Sequence, residues 1–352
     1  MDRHEAEEVS DRRRPSRRGR LSVASVASVV LLSGACAVFG GADSPRCSDT
    51  AAPGVNACVV VVPDPRPGDL RLAEDADVLP ADYVAPDAHT TMRDVAYGDA
   101  PAQKLDLYLP AQPSAPVVMY LHSGGWVGGE RAPVPSMALR FVERGYAVVS
   151  VGYRLAPEHP FPASVEDVKR ALRWLRVYSQ EEGLIDGDRI VVFGTSAGGH
   201  LASIVAATPG RFEPTDLTAS EAQFESTVSG VVSAVGPTDL VAFYESPHPW
   251  AKGLTEALLG CDPCESEQLV EASLFGYLDG DLPPAYWVYG EDDDLVDSVS
   301  QGAAAASAWA ENSDASSSWY DSVAECGHNI ECDTRNQRSL EQFVDRAVGS
   351  GP

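Results

Sequence analysis

The apolar positions along the chain follow two periods, one typical of strands and one typical of helices. Short β-branched or aromatic runs predict buried strands, and longer stretches with apolar residues every three or four positions predict helices. The predicted strands are Met92–Tyr97, Lys104–Leu109, Pro116–Leu121, Ala147–Val151, Arg189–Phe193, Gly230–Val235, Ala285–Gly290 and Ser318–Val323. The predicted helices are Ala163–Glu181, Ala197–Ala207, Ser298–Glu311 and Asn336–Val348.

The order of these elements predicts the fold class. The first two strands resemble an antiparallel hairpin, and the later strands alternate with helices. Such alternation is typical of a mainly parallel sheet that is covered on both faces. We therefore expect one α/β domain over residues 89–349, with a mostly parallel eight-stranded sheet and helices on both faces.

The N-terminal segment has a different pattern and is predicted to lie outside that domain. Residues 1–20 contain seven arginines and no lysine, and residues 21–42 contain no charged residue. A basic region followed by a mildly apolar one is typical of an export signal, which we predict over residues 1–42. Residues 43–88 are rich in Pro, Ala and Asp, which predicts a linker or a loosely packed arm. We expect an exported protein, extracellular or associated with the cell envelope.

The processing of this signal has more than one interpretation. The run Leu32–Cys36 resembles a lipobox, which would make Cys36 a lipidated N-terminus. The alternatives are cleavage after Ala37 or Ala42, or an uncleaved anchor over Leu21–Phe39. A lipid or an anchor at this end is the one membrane attachment that the sequence predicts.

Cysteine usage agrees with export. One of the seven cysteines lies in the signal, and the other six lie in close pairs. Local spacing favours the disulfides Cys47–Cys58, Cys261–Cys264 and Cys326–Cys332 among the connectivities that six cysteines allow. Disulfides persist in an oxidising compartment. Cys261 and Cys264 could instead form a redox or zinc pair, but the sequence shows neither a thioredoxin-like unit nor further ligands nearby.

The charge of the chain excludes one class of partner. The formal net charge is −26 at pH 7. An acidic surface of this kind repels nucleic acid and favours solubility, so we expect no nucleic-acid partner.

The sharpest local signal is Gly194-Thr195-Ser196-Ala197-Gly198, which lies between a predicted strand and a predicted helix. A strand, a G-x-S-x-G sequence and a helix of small residues are the layout of a nucleophile elbow. The turn is so tight that the flanking positions must lack bulk. The amides that open the next helix then point at the reacting centre. Ser196 is the predicted nucleophile.

Several motifs in a fixed order resemble the α/β-hydrolase esterases, over about residues 92–345. They are similar to hormone-sensitive-lipase-like carboxylesterases and to bacterial feruloyl/acetyl-xylan-type esterases. The resemblance implies the α/β-hydrolase fold, with Asp239–Asp281 as a small cap inserted between the sixth and seventh strands. The motifs that carry it are His122–Trp126, Tyr153–Ala163, Asp167–Leu175, Gly194–Ala202 and Gly236–Leu240.

The resemblance also implies a catalytic triad in the chain order serine, acid, histidine. His328 follows a glycine between the last predicted strand and the last helix and is the expected base, whereas His248 lies in a proline-rich turn of the cap. Family loops after the seventh strand usually read Gly-x-x-Asp-x-x-Val, and this register selects Asp293 as the acid. Asp292 and Asp294 are the alternatives.

An oxyanion hole is the further element that the resemblance implies. The expected donors are the amides of Gly124, Gly125 and Ala197. The family's usual His-Gly-Gly-Gly has Ser123 in place of its first glycine here, which leaves both candidate glycines intact. We expect His122 to brace the loop rather than to transfer protons.

The activity implied is that of a secreted serine carboxylesterase that acts on a small or polysaccharide-linked ester through an acyl-enzyme, with no cofactor and no metal. A small cap predicts an accessible site and short or moderate acyl groups. Two alternatives are a prolyl-oligopeptidase-type serine peptidase, which usually carries a large N-terminal propeller, and a non-catalytic binding protein of hydrolase fold, which would be expected to lack the serine or the histidine.

The cap aromatics could line an acyl or aryl pocket or form the core of the cap; they are Phe243, Tyr244, Trp250 and Phe275.

Overall fold

The computed structural model describes residues 90–313, 318–332 and 334–349. The predicted export signal and linker, and with them Cys36 and the pair Cys47–Cys58, lie outside these residues.

One eight-stranded sheet forms the centre of the domain, in the order β1-β2-β4-β3-β5-β6-β7-β8. β1 pairs antiparallel with β2, and β2 with β4, whereas all the remaining neighbours are parallel. The predicted fold class is confirmed. The strands are β1 Thr90–Ala96, β2 Lys104–Leu109, β3 Ala115–Leu121, β4 Ala147–Val151, β5 Ile185–Thr195, β6 Gly230–Ala234, β7 Ala285–Gly290 and β8 Ser318–Val323.

Helices connect the parallel strands and cover the sheet. Three short helices, α4 to α6, lie in the insertion between β6 and β7 and form the cap. A π-helical segment, Ser298–Ala303, leads directly into α7. The α-helices are α1 Ser136–Glu143, α2 Ala163–Glu182, α3 Ala197–Ala207, α4 Leu240–Tyr244, α5 Ala251–Leu259, α6 Ser266–Glu271, α7 Ala304–Glu311 and α8 Thr334–Ala347.

The core lies in two layers because successive strand residues point to opposite faces of the sheet. On β3, Val117 and Met119 pack in one layer, with apolar residues of α2, α3, α7 and the cap. Val118 and Tyr120 pack in the other layer, with apolar residues of α1 and α8. Because both faces are covered, the central strands read as continuous apolar runs, which is why the sequence identified them.

Several elements differ from the prediction, among them the helices α4 to α6, whose segment was predicted only as a cap insertion. β5 begins at Ile185 rather than at Arg189, and its polar start, where the register against β3 shifts, hides the strand in the sequence. The helix predicted over Ser298–Glu311 begins as the π-helical segment, which apolar spacing does not distinguish from an α-helix. The sequence pattern did not predict α1, a helix of eight residues.

Two motifs that carry the family resemblance stabilise the framework. Asp167 on α2 is fully buried, and its Oδ2 accepts the backbone N–H of Arg154 at 2.7 Å. The Arg154 Nε donates to the same carboxylate at 2.9 Å, and the Gln103 Nε2 donates to its Oδ1 at 2.6 Å. A buried carboxylate satisfied in this way fixes the loop after β4 against α2.

Within the part of the chain that the structure describes, no helix combines the length and the apolarity needed to cross a membrane.

Candidate active site

Ser196 stands at the turn between β5 and α3 in a backbone conformation that side chains rarely adopt. Its φ is 54° and its ψ is −119°. A Cβ at Gly194 would collide with the Gly198 carbonyl, and one at Gly198 would collide with the Leu121 carbonyl. The Ser196 N–H donates to the Ala234 carbonyl on β6 at 2.8 Å, which fixes the turn against the sheet. The surrounding strands therefore determine the strained conformation, which is typical of a functional position.

His328 reaches Ser196 from the loop that follows β8. The two side chains are in hydrogen-bond contact, with 2.8 Å between the His328 Nε2 and the Ser196 Oγ. The loop after β7, which carries the candidate acids and is called the acid loop below, is hydrogen-bonded to this loop. The Asp292 N–H donates to the Cys326 carbonyl at 2.8 Å. A Cβ at Gly290 would overlap the Cys326 and Gly327 carbonyls, so the close approach of the two loops requires glycine there.

Asp293 completes the series through its two oxygens, each with its own partners. Its Oδ2 lies 2.8 Å from the His328 Nδ1. Its Oδ1 accepts the N–H groups of Leu295 at 3.0 Å and of Val296 at 2.9 Å. The carboxylate is therefore oriented by its own loop before it meets the imidazole.

The neighbouring carboxylates do not occupy this position. Asp292 and Asp294 are exposed, whereas Asp293 is only 7% exposed. Of the three candidate acids, the structure brings Asp293 alone into contact with the histidine, among the hydrogen bonds of the described residues. The spacing Gly-x-x-Asp-x-x-Val has a physical basis here, since the N–H of the valine position supports the acid.

The hydrogen bonds define the proton positions that the site requires. A carboxylate can only accept, so the His328 Nδ1 carries a proton that it donates to Asp293. The unprotonated Nε2 then accepts the Ser196 hydroxyl proton. This is the arrangement in which an imidazole acts as a general base toward a serine.

The loop after β3 begins beside the elbow, since a Cβ at Gly198 would meet the His122 carbonyl, and Gly124 and Gly125 follow in this loop. Gly124 has a φ of +122°, and its carbonyl accepts the N–H groups of Val127 at 3.2 Å and Gly128 at 3.0 Å, which closes a tight turn. A Cβ at Gly124 would collide with the backbone of Gly128. Ala197 is the first residue of α3, so its amide is one of those without an intrahelical acceptor. These three amides remain the candidate oxyanion donors.

His122 is built into the same loop. Its ring stacks on that of Tyr153 with 4.2 Å between centroids, and its Nδ1 donates to the Ser123 carbonyl at 2.7 Å. The Tyr153 hydroxyl donates to the His122 carbonyl at 2.7 Å. Burial lowers the pKa of His122 to about 4, so the ring is neutral at pH 7. These contacts brace the loop, and the structure places no contact between His122 and Ser196 among the described hydrogen bonds.

A buried hydrogen-bond series that the sequence did not reveal joins three parts of the site. The indole Nε1 of Trp126, in the loop after β3, donates to the His200 Nδ1 at 3.1 Å. His200, four residues after Ser196 on α3, donates from its Nε2 to the Ala272 carbonyl of the cap at 2.8 Å. Burial lowers the pKa of His200 to about 4, which keeps the ring neutral with its proton on Nε2. The sequence signal was a histidine on the elbow helix, but its partners are distant along the chain.

The cap aromatics divide between core and surface. Phe243 is buried and packs edge-on against Trp126, with 6.1 Å between centroids. The Tyr244 hydroxyl donates to Glu256 within the cap, and Phe275 is 38% exposed. Trp250 is half-buried against the core. Of the four, Phe243 is thus a core residue, and Phe275 contributes to the surface.

His248 lies on the cap close to the acid loop. Burial lowers the pKa of His248, and the nearby carboxylates of Asp294 and Asp293 act in the opposite direction. Its Nδ1 accepts the Trp250 N–H at 3.3 Å.

The structure joins Cys261 and Cys264 by a disulfide in the cap, so they do not form a thiolate zinc pair here. Cys326 is also disulfide-bonded. The side chain of Cys332, its predicted partner, lies outside the described residues. In the described ranges, no group of three or more His, Cys, Asp and Glu side chains is placed to hold a metal ion.

The fold and the site together define a class. A mostly parallel sheet of this order, with serine, histidine and aspartate joined in series beyond the carboxyl ends of β5, β8 and β7, is the α/β-hydrolase arrangement. The BD-FAE family matches residues 105–308, more than half of the chain. The chain belongs to this family of α/β-hydrolase esterases.

Relatives with similar sequences include named and probable carboxylic ester hydrolases. The probable carboxylic ester hydrolase LipM of Mycobacterium tuberculosis is 30% identical over 213 residues, which are 58% of this chain and 48% of that protein. The carboxylesterase NlhH of the same species is 40% identical over 124 residues, 34% of this chain and 39% of that protein. The chain thus spans less than half the length of these relatives.

Solved structures share the fold. A bifunctional GH43-CE protein of Bacteroides eggerthii superposes with a TM-score of 0.66 and 25% identity, over 74% of this chain and 35% of that one. A truncated carbohydrate esterase from gut microbiota has a TM-score of 0.65 and 24% identity, over 75% of this chain and 98% of that one.

Proposed function

We propose that the protein is a serine carboxylesterase that hydrolyses carboxylic esters through an acyl-enzyme. The observation that carries the proposal is the hydrogen-bonded series Ser196–His328–Asp293, with 2.8 Å at each junction. Similarity to the carboxylesterase NlhH and to the probable carboxylic ester hydrolase LipM supports the same reaction, as does membership of the BD-FAE family.

Acylation uses each group in the series. The His328 Nε2 takes the proton of the Ser196 hydroxyl as the Oγ attacks the ester carbonyl carbon. The carbonyl oxygen gains negative charge and is stabilised by the amides of Gly124, Gly125 and Ala197, each donor contributing about 3 kcal/mol in the transition state. The bond to the alcohol oxygen then breaks, and His328 returns its proton to that oxygen. The alcohol leaves, and the acyl group remains on the Ser196 Oγ.

Deacylation repeats these steps with water. His328 takes a proton from water, the resulting hydroxide attacks the acyl carbonyl, and the proton passes to the Ser196 Oγ as the carboxylic acid departs. Throughout, Asp293 accepts from the His328 Nδ1 and stabilises the imidazolium. The residues that perform these steps are all present on this chain.

The direct test is hydrolysis of p-nitrophenyl acetate by the purified protein and by a Ser196→Ala variant. We expect the wild type to release nitrophenol catalytically and the variant to be inactive. A variant with full activity would show that the nucleophile is elsewhere.

We also propose that the protein is exported and that its substrates include esters linked to carbohydrate. Export is supported by the basic and apolar pattern of residues 1–42 and by the Cys261–Cys264 disulfide, since disulfides persist in oxidising compartments. A carbohydrate-linked substrate is supported by the likeness to the GH43-CE protein. Comparison of acetylated xylan with p-nitrophenyl acetate as substrates tests the second point, and absence of acetate release from the polysaccharide would oppose it.

A further inference from the structure

The cap helix α5 lies directly against the candidate oxyanion hole. A Cβ built on Gly125 would meet the Leu254 side chain first, at 2.7 Å from its Cδ2, 3.2 Å from its Cδ1 and 3.5 Å from its Cγ. Gly125 has a φ of +59°. The three atoms nearest to the position of this Cβ all belong to the Leu254 side chain. The isobutyl group of Leu254 is therefore the surface that Gly125 faces.

Part of the Leu254 side chain is exposed to solvent. It is half-buried and packs on the main apolar core, whereas Leu258, one turn later on the same helix, is only 1% exposed. A partly exposed apolar side chain beside polar amides is suited to contact the apolar part of a bound ligand.

The chemistry of the proposed reaction determines which part of the ester lies there. His328 must protonate the leaving oxygen, so the alcohol must point toward His328. The loops that follow β7 and β8 carry Asp293 and His328, and they lie on one side of the elbow strand β5 in the sheet order. The loop that follows β3 lies on the other side of β5. Because the alcohol points toward His328 and the carbonyl oxygen lies at the candidate oxyanion amides, the third substituent of the carbonyl carbon, the acyl chain, points away from His328 and toward the β3 side.

We propose that Leu254 closes the acyl pocket and restricts the enzyme to short acyl chains. The inference rests on the proposed esterase function, since it assigns the acyl group of the same reaction. An acyl chain that extends beyond a few carbons would meet the Leu254 methyl groups beside Gly125. Acetyl and similar groups end before that contact.

The experiment measures kcat/KM for p-nitrophenyl acetate, butyrate and octanoate with wild type and a Leu254→Ala variant. We expect the octanoate-to-acetate ratio to rise about tenfold in the variant, because even one methylene in a pocket changes selectivity by this order. Leu254→Phe should shift the ratio in the opposite direction. Leu259→Ala is the matched control, since Leu259 is also half-buried on α5 but lies on a different face of the helix, and its ratio should equal that of the wild type.

A second substrate series separates the acyl group from the alcohol. Acetates of p-nitrophenol and 1-naphthol differ in the alcohol alone, and we expect Leu254→Ala to leave their ratio unchanged. The inference is overturned if folded Leu254→Ala keeps the wild-type acyl ratio, if Leu259→Ala changes it equally, or if the alcohol ratio changes instead. Circular dichroism and a thermal melt establish folding. Wild type that fails to hydrolyse any of these esters would contradict the proposed function itself, which is a distinct outcome.

Discussion

At the scale of single residues, the acid of the triad shows how a backbone orients a side chain. Asp293 has one oxygen held by the amides of Leu295 and Val296 and the other directed at His328. The acidic run gave several candidates by composition, and only the spacing to the valine distinguished them. That spacing works because the amide at Val296 is the partner of the carboxylate.

We predict that Asp293→Asn lowers kcat by about 10³- to 10⁴-fold. The amide nitrogen of asparagine can donate to the His328 Nδ1, which would then lose its proton and leave Nε2 unable to act as the base. Steady-state kinetics with p-nitrophenyl acetate measures the effect. Asp292→Asn and Asp294→Asn serve as controls and should keep the wild-type kcat; a larger loss in either would assign the acid to that residue.

His200 gives a prediction for the dependence of stability on pH. Burial lowers its pKa to about 4 from an ordinary value of 6.5, so the unfolded chain binds more protons than the folded one between these values. The stabilisation from the neutral ring is complete above about pH 6.5 and is lost as pH falls toward 4. His122 has the same direction and cause and adds to the loss.

We expect His200→Gln to reduce the slope of unfolding free energy against pH by about 1.4 kcal/mol per pH unit within this window. Glutamine keeps a donor and an acceptor but does not titrate there. Urea unfolding at a series of pH values provides the measurement. A slope identical to that of the wild type would show that His200 does not titrate in this way.

At the scale of elements, the π-helical segment after the acid loop connects the sheet to the cap. The Gln301 Oε1 accepts the N–H of Thr238 at 2.7 Å and of Asp239 at 2.8 Å, just before the cap helix α4 begins. Its Nε2 donates to the Asp239 carbonyl at 3.1 Å. The first turn of the cap is thereby fixed to the segment that follows the acid loop.

Gln301→Ala is expected to destabilise the protein by about 2–4 kcal/mol, because two backbone N–H groups lose their acceptor in or near the core. Urea unfolding at pH 7 checks this value. Val299→Ala in the same segment is the control, since Val299 is 68% exposed and its truncation should change stability by less than about 0.5 kcal/mol. Equal effects of the two changes would contradict the role of Gln301.

The sequence predicted the elements with strong apolar runs and missed those defined by long-range contacts. Buried strands such as β3 and β7 follow directly from their composition. The polar start of β5 pairs only because β3 lies beside it, which local pattern does not encode. The connection from Trp126 through His200 to Ala272 likewise depends on residues that the fold brings together.

At the scale of the whole molecule, net charge bears on partners and cysteine usage bears on the proposed export. The net charge of −26 favours solubility and disfavours nucleic acid. The Cys261–Cys264 disulfide requires oxidising conditions to persist.

We predict that the full chain, expressed in a bacterium, is recovered outside the cytoplasm and that a chain lacking residues 1–42 remains inside. Cell fractionation followed by esterase assay of each fraction makes the comparison. Retention of the full chain in the cytoplasm, with activity equal to that of the truncated chain, would contradict export.

Covalent labelling with diisopropyl fluorophosphate tests the central claim, that His328 activates Ser196. We predict one phosphoryl group per chain, located on Ser196 by peptide mass spectrometry, with esterase activity lost in proportion to labelling and with His328→Ala resistant to the reagent. Label on another residue, or full labelling of Ser196 with activity intact, would contradict it.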